Sequence, residues 1–429
     1  MIGYLCKYAP VEIFEAFGEE CVPICPECGK SSVCPEVHPN MCSFIRAVFS
    51  SVKDGSYDGI VLTSCCDSTR RLYDILAAGF PDKFIYMLDL PRRKDRSAVM
   101  AYRNRIADMI SSYREHSGLS FREEAIRSCR ACSHDPLPSF SEGRLNVVLM
   151  GARMNPQIRD ILLRHDVNIA ADMSCTGIAR SIKADGDDLL LSYSESLLSQ
   201  YPCMRMAECG RRFQSELMRA DGIIYHSVQF CDMYSFEYSM LSSHSNIPLL
   251  LINTDYGALP GGQLQTRAEA FIEEISGGER MEAVNEGRYV IGIDSGSTST
   301  NGILMDLDGN IISSAVMPTG ARASESSEKV YSMLLSGNGI APGDIAASVA
   351  TGYGRSSLSF ASSAVTEISC HAKGAHYIDP SVRTLLDIGG QDSKAIRIGG
   401  NGEVLDFAMN DKCAAGTGRF LESIARTLG

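Results

Sequence analysis

The sequence predicts an α/β protein: parallel sheets wrapped by helices over its first part, then a turn-rich strand pattern of a different kind. Two observations carry this. Before residue 276 short apolar runs alternate with amphipathic helical stretches, the pattern of βαβ units. After residue 288 acid-tipped Gly/Ser/Thr turns stand between strands. A polar, Gly/Glu-rich stretch, Ser276 to Arg288, separates the two regions and reads as a linker. At about 100–200 residues per domain, a chain of 429 residues makes two to four domains.

In the first region, strands are expected at Gly59–Thr63, Lys83–Leu88, Asn146–Gly151, Gly222–His226 and Pro248–Asn253. Helices are expected at Ser43–Lys53, Ser68–Ala78, Ser97–Tyr113 and Arg211–Arg219. A second strand series begins near Asn146, so residues 1–275 divide near 145 into two α/β subdomains, with no obvious internal repeat in the residues themselves. The N-terminal stretch MIGYLCKYAPVEIF lacks a basic segment and a long apolar run, and nothing approaches the roughly 18–20 apolar residues of a membrane span. The expectation is a cytoplasmic protein without membrane contact. A net charge of −12 and the absence of Trp argue against nucleic acid and for small-molecule or protein partners.

Sixteen cysteines are heavy usage for a compartment that keeps thiols reduced, which points to ligation or redox chemistry rather than disulfides. Several stand at strand ends or helix starts: Cys42, the adjacent pair Cys65 and Cys66, Cys203 and Cys231. Ligands of open α/β sheets bind beyond the carboxyl ends of strands. Cys66 and Cys231 each follow an apolar strand and precede an Asp, which suggests one thiol from each subdomain facing a shared cleft. A single cysteine such as Cys175 reads instead as a small core hydrophobe. A structural zinc site is the competing reading, because CPECGK (Cys25 to Lys30) and CRAC (Cys129 to Cys132) each supply a C-x-x-C.

GYLCKYAPVEIFEAFG, HPNMCSFIRAVF, YDGIVLTSCCDSTRRLYDIL, QYPCMRM and FCDMYSFEY together resemble the 2-hydroxyacyl-CoA dehydratase family, and most closely its double-cubane-cluster branch. The resemblance covers roughly Met1 to Tyr256. It implies two flavodoxin-like subdomains holding an iron–sulfur cofactor between them. Cys66 matches the single cysteine before Asp in ordinary dehydratases, and Cys65 is extra. With Cys34, the set Cys42, Cys65, Cys66, Cys203 and Cys231 reaches six thiols, enough for a double cubane, [8Fe–9S], rather than one [4Fe–4S] cluster.

In the second region, YVIGIDSGSTSTNGILMDLDGNII (Tyr289 to Ile312) is a strand, a tight turn and a second strand. The turn Ser295, Gly296, Ser297, Thr298 has the backbone and hydroxyl donors to cradle phosphate, and Asp294 suits Mg²⁺ through water. LLDIGGQDSKAIRI (Leu385 to Ile398) repeats the layout with Asp387, Gly389, Gly390, Gln391 and Asp392. Such a pair of turns resembles the actin/Hsp70/sugar-kinase ATPases. Adding TGYGR, EISCHAKGA and NDKCAAGTGRFLE, the order of motifs resembles the ATP-dependent activator of 2-hydroxyacyl-CoA dehydratases. That family implies a homodimer sharing one [4Fe–4S] cluster, with Cys413 its first ligand. Asn301 stands where the family commonly has lysine. The second cluster cysteine and the adenosine-binding lobe are expected beyond Gly429, so 289–429 reads as a partial ATPase lobe that binds nucleotide weakly alone.

The expected function is ATP-driven, low-potential electron transfer from the activator half to an iron–sulfur centre that reduces a small substrate. A ferredoxin or flavodoxin would supply the electron. The alternatives are an (R)-2-hydroxyacyl-CoA dehydratase acting on acyl-CoA with a built-in activator, and a non-redox nucleotide-binding regulator with structural zinc.

Overall fold

A computed structural model describes residues 1–26, 36–128, 139–175, 177, 182–200, 202–207, 219–245, 247–254, 261–276, 286–389, 392–410 and 425. The chain forms two compact units, Met1–Leu264 and Gln265–Gly429. Cys34, Cys413, Gly390, Gln391 and all but the last residue of the helix expected at Arg211–Arg219 lie outside the described residues.

The first unit holds two four-stranded parallel sheets. One comprises β1 (Ile2–Tyr4), β2 (Cys21–Pro23), β3 (Gly59–Thr63) and β4 (Phe84–Leu88) in the order β2-β1-β3-β4. The other comprises β5 (Asn146–Gly151), β6 (Asn168–Asp172), β7 (Gly222–Val228) and β8 (Leu249–Thr254) in the order β6-β5-β7-β8. The two orders are the same, so the unit repeats one topology that no repetition of residues announces. The middle strands GIVLT and NVVLMG are buried along their whole length, as strands covered on both faces must be.

Alternation along β3 divides the core. Val61 points into a layer with Tyr102 and Ile106 of the helix Arg96–Ser117. Ile60 and Leu62 point the other way, to the helices Ser43–Asp54 and Asp67–Gly79. That second layer runs on into Val148, Met150, Ile223 and Tyr225 of the other sheet, so one apolar layer joins the two sheets. The helix Arg96–Ser117 starts on an Asp95 side chain that accepts from the Ala98 N–H and stops at Gly118 in the left-handed conformation.

The second unit begins within the helix Gly261–Ile275. Glu269 of that helix pairs with Arg355, and Glu273 accepts from the backbone and hydroxyl of Thr366 at 2.9 and 2.6 Å. These ion-pair and hydrogen-bond partners draw the helix into the second unit, ahead of the Ser276–Arg288 stretch read as a linker. A five-stranded sheet of order β11-β10-β9-β12-β13 follows, from β9 (Tyr289–Ser295), β10 (Ser299–Asp306), β11 (Ile311–Pro318), β12 (Ile345–Thr351) and β13 (Ser363–Ala364). The helix Ala323–Asn338 covers it through Val330 and Leu334. The antiparallel set β14 (Thr384–Ile388), β15 (Ser393–Ile398) and β16 (Val404–Asn410) packs on the helix Glu367–Ile378. Among the described residues no helix is long and apolar enough to cross a membrane.

One buried polar contact ties the carboxyl ends of the second sheet together. His226, wholly buried in β7, bonds the Arg153 carbonyl through Nδ1 at 2.6 Å and the Thr254 hydroxyl through Nε2 at 2.8 Å. Burial drives its pKa down to about 4. The folded value thus lies below the ordinary 6.5, so this contribution to stability is complete above pH 6.5 and is lost as pH falls toward 4. The window corresponds to about 3 kcal/mol. Denaturant melts of the full chain between pH 7 and 4 should show this loss in the wild type. His226→Gln should be less stable at pH 7 but flatter over the window; an unchanged slope would contradict the assignment.

Candidate functional site

In a 2-1-3-4 sheet the order reverses between the first and third strands, and the crevice beyond their carboxyl ends is where such folds bind ligands. Cys6 follows β1 by two residues, and Cys65 and Cys66 follow β3. In the other sheet Arg153 follows β5, Cys175 follows β6 and Cys231 follows β7. Gly151 makes the exit from β5 feasible: its φ is +97°, and a Cβ there would lie 2.2 Å from the His226 carbonyl oxygen.

These strand ends open on one cavity of about 710 Å³ in the first unit. Cys42, Cys65, Cys66, Cys203 and Cys231, the expected ligands within the described residues, all line it. So do Cys6, which the sequence reading passed over, and Cys175, which it assigned to the core. Cys175, three residues past β6 and partly buried, packs against the apolar core and also borders the cavity. Position after a strand end was the available signal for both. Cys25 is exposed and accepts from Arg153 Nη2 at 2.8 Å, while Cys28, Cys129 and Cys132 lie outside the described residues.

Cys42, Cys66 and Cys231 each occupy the position before the first turn of a helix, and none caps that turn with its side chain. The free N–H groups and positive dipole end of a helix favour a thiolate there. Other forces oppose it. Burial raises the Cys42 pKa and pushes Cys231 up to about 12. The hydrogen bond with Cys6 holds Cys65 at about 11, and that with Cys65, reinforced by burial, holds Cys66 far above its usual range. Cys6, donated to by Cys65, moves down. Thr69 completes the chain, 3.3 Å from Cys65 Sγ and 3.0 Å from Cys66 Sγ. Most of these thiols are therefore protonated near neutrality, and ligation would displace their protons.

The donors on the cavity wall are mostly soft sulfur. Among the described residues no three Cys, His, Asp or Glu side chains converge on a single ion position. Thiols set around the wall of a cavity, with Asp67 as the lone carboxylate on it, suit a polynuclear centre ligated from outside by soft sulfur.

The second unit carries its own site. Asp294 is the last residue but one of β9, and the turn to β10 is pinned where Thr319 donates from Oγ1 to the Gly296 carbonyl at 2.7 Å and from its N–H to the Thr298 carbonyl at 3.0 Å. Ser297 and Thr298 are exposed on that turn. Ser295 is wholly buried and its Oγ accepts from Ser327 at 3.1 Å, so its hydroxyl serves the fold, and only its backbone is left for a ligand. Gly352, at φ +81°, passes so close that a Cβ would lie 2.4 Å from Asp294 Oδ1.

Asp387 is the last residue but one of β14, and Gly389 follows the strand. Asp387 Oδ2 stands 3.2 Å from His371 Nδ1 and 3.3 Å from Lys394 Nζ. The His371 contact holds Asp387 below the usual carboxylate range and raises His371 in turn. Asp392 accepts at one oxygen from Lys394 at 2.7 Å and at the other from the Tyr353 hydroxyl at 3.0 Å, contacts that order the turn. Lys394, buried, also lies 2.9 Å from Glu367. Burial raises Asp294, and His371, Asn301 and Lys394 counter it. Charges flanking the second turn thus act on the acid of the first. Asn301 meets Asp294 at 3.4 Å. His371, Glu367 and Lys394 sit inside EISCHAKGA and DIGGQDSK, whose sequence pattern marked the motifs without assigning these three.

Comparison with known proteins matches both parts of the chain. The model of the family "2-hydroxyglutaryl-CoA dehydratase, D-component" matches residues 6–135 and 129–275, and that of the "BadF/BadG/BcrA/BcrD ATPase family" matches 291–429. The activator of lactoyl-CoA dehydratase of Anaerotignum propionicum is 45% identical over 140 residues, 33% of this chain and 54% of that protein. The putative dehydratase subunit YjiM of Escherichia coli is 20% identical over 353 residues, 64% of this chain and 91% of that protein. The crystal structure of component A of the Acidaminococcus fermentans (R)-2-hydroxyglutaryl-CoA dehydratase is 42% identical over 33% of this chain and 54% of its own, at a TM-score of 0.31. This chain spans about half the length of the activators it matches. The dehydratase model accounts for the whole thiol-lined unit, and the chain belongs to the 2-hydroxyglutaryl-CoA dehydratase D-component family, fused to a BadF/BadG/BcrA/BcrD-type ATPase segment.

Proposed function

We propose that this chain uses ATP to drive low-potential electron transfer into an iron–sulfur centre of its dehydratase-like unit, where a small substrate is reduced. The observation that carries the reading is one cavity bordered by seven thiols from both sheets of a D-component fold, in a chain that also holds a BadF-type ATPase segment. Cys42, Cys65, Cys66, Cys203 and Cys231 would hold the centre, with Cys6 and Cys175 able to supply further thiolates. Seven thiols suffice for a double cubane without Cys34. When bound, an iron–sulfur centre supplies one-electron chemistry at low potential.

The residues divide the labour. Helix N-termini at Cys42, Cys66 and Cys231 favour the thiolate forms. The apolar layer joining the sheets limits water at the thiols. In the ATPase segment, Asp294 and Asp387 would hold Mg²⁺ through water, and the backbone of Ser295 to Thr298 would cradle phosphate. Buried Lys394 keeps the second turn in place. Cys413 would contribute to a donor [4Fe–4S] cluster shared across a homodimer, because one thiol per chain cannot hold four irons. A ferredoxin or flavodoxin would refill that donor. Activity on an acyl-CoA, as the family name suggests, is the second reading.

Iron and sulfide analysis of the anaerobically purified full chain tests the proposal. A brown protein with sulfide and more than four irons is expected; zinc without sulfide would leave only a structural-metal role. Cys66→Ala and Cys231→Ala should each lose most of the colour, and full colour in either removes that thiol from the ligand set.

The ATPase assignment is tested separately with Mg-ATP titrations. Asp294→Ala and Asp387→Ala should each weaken binding at least about tenfold, the loss of about 1.4 kcal/mol of metal-mediated contact. Cys66→Ala should bind as the wild type does. Equal binding by all three proteins would move the nucleotide elsewhere.

A further inference from the structure

Three guanidinium groups stand on the cavity wall, those of Arg92, Arg153 and Arg205. Two are directed away from the thiols that line it. Arg92 Nη2 donates to the carbonyls of Ser64 and Cys65 at 2.8 and 3.0 Å. Arg153 Nη2 donates to exposed Cys25 at 2.8 Å, with its guanidinium over the Phe44 ring. Arg205 faces the sulfurs instead. Its Nη1 lies 3.6 Å from Cys175 Sγ and its Nη2 3.8 Å from Cys231 Sγ. Its guanidinium is held over the Tyr234 ring, 5.1 Å from the centroid, and its buried Nε has no hydrogen-bond partner.

We infer that Arg205 is a positioning residue that sets the reduction potential of the centre held by these thiols, an inference that rests on the iron–sulfur reading above. The planar fork places a permanent positive charge against two sulfurs that come from different strand ends, after β6 and after β7. Reduction adds one electron, so the centre becomes more negative by one charge. No bond forms or breaks, and no proton moves, because a guanidinium keeps its protons throughout. A fixed cation at this distance therefore stabilises the reduced form more than the oxidised form, and partial burial limits screening. Hydrogen bonds to sulfur and local charge are among the levers that set such potentials. Arg205 makes the centre easier to reduce and so lowers the demand on its electron donor.

The test is a redox titration of the anaerobic full chain against a strong chemical reductant, followed by visible absorption and electron paramagnetic resonance. Arg205→Gln, which keeps a polar side chain but no charge, should lower the reduced-to-oxidised ratio at a fixed potential about tenfold, or about 59 mV for a one-electron couple. Arg205→Lys, which keeps the charge, should stay near the wild-type value. A Gln variant with full iron and the wild-type potential overturns the inference, as does a Lys variant displaced as far as Gln. If the Gln variant takes up no iron, the Lys variant decides alone: the wild-type potential supports a charge effect and a displaced one refutes it. A wild-type chain without iron and sulfide removes the reading beneath the inference. Iron present with a potential indifferent to Arg205 removes the inference alone.

Discussion

Parallel pairing sends every strand of a sheet out at the same edge, and the first unit applies that constraint twice. Because β2-β1-β3-β4 and β6-β5-β7-β8 share one order, each sheet has a single place where the chain turns in opposite directions on leaving adjacent strands. The residues that leave there are Cys6 and the Cys65–Cys66 pair in one sheet, Arg153 and Cys231 in the other. A common apolar layer, from Ile60 and Leu62 through Val148 and Met150 to Ile223, holds the sheets so that both edges border one cavity. Topology gathers the thiols and packing keeps them together.

Chemistry follows from that confinement. Thiols crowded in a partly buried space share protons: Cys65 lies between Cys6 and Cys66 in one hydrogen-bonded chain, and each thiol that ionises raises the cost of ionising the next. Only a strong local positive charge reverses this. Helix N-termini and Arg205 supply part of it, and a metal coordinated by these thiols would supply the rest.

The ATPase segment solves a different electrostatic problem. Asp294, Asp387, Asp392 and Glu367 gather near two tight turns, and uncompensated carboxylates at that spacing would repel. Lys394, buried among three of them, and His371, against Asp387, offset most of that repulsion. Lys394 thereby engages Asp387, Asp392 and Glu367 alike, and Asp294 meets Asn301. A buried lysine here serves the geometry of the turn.

How far each feature could be read from residues alone depends on whether its cause is local. Strand and helix positions were legible: β3 and β5 lie where expected at Gly59–Thr63 and Asn146–Gly151, because continuous apolar runs between turn residues have few other outcomes. The acid-tipped turns at Asp294 and Asp387 were legible for the same reason. By contrast β1, three residues long, is too short to show a period, and without it neither the 2-1-3-4 order nor the role of Cys6 is visible. Cys175 packs on the core as its polarity suggests, and only its distance past a strand end, which sequence does not show, also sets it on the cavity wall. The inward turn of Ser295, the double engagement of Asp392 and the direction of Arg205 are decided by partners far along the chain: Ser327, Tyr353 and Cys231. Local propensity determined the elements and the motifs. Which side chains face a ligand was decided by packing between elements, where the competing partners are brought within hydrogen-bonding distance only by the tertiary fold.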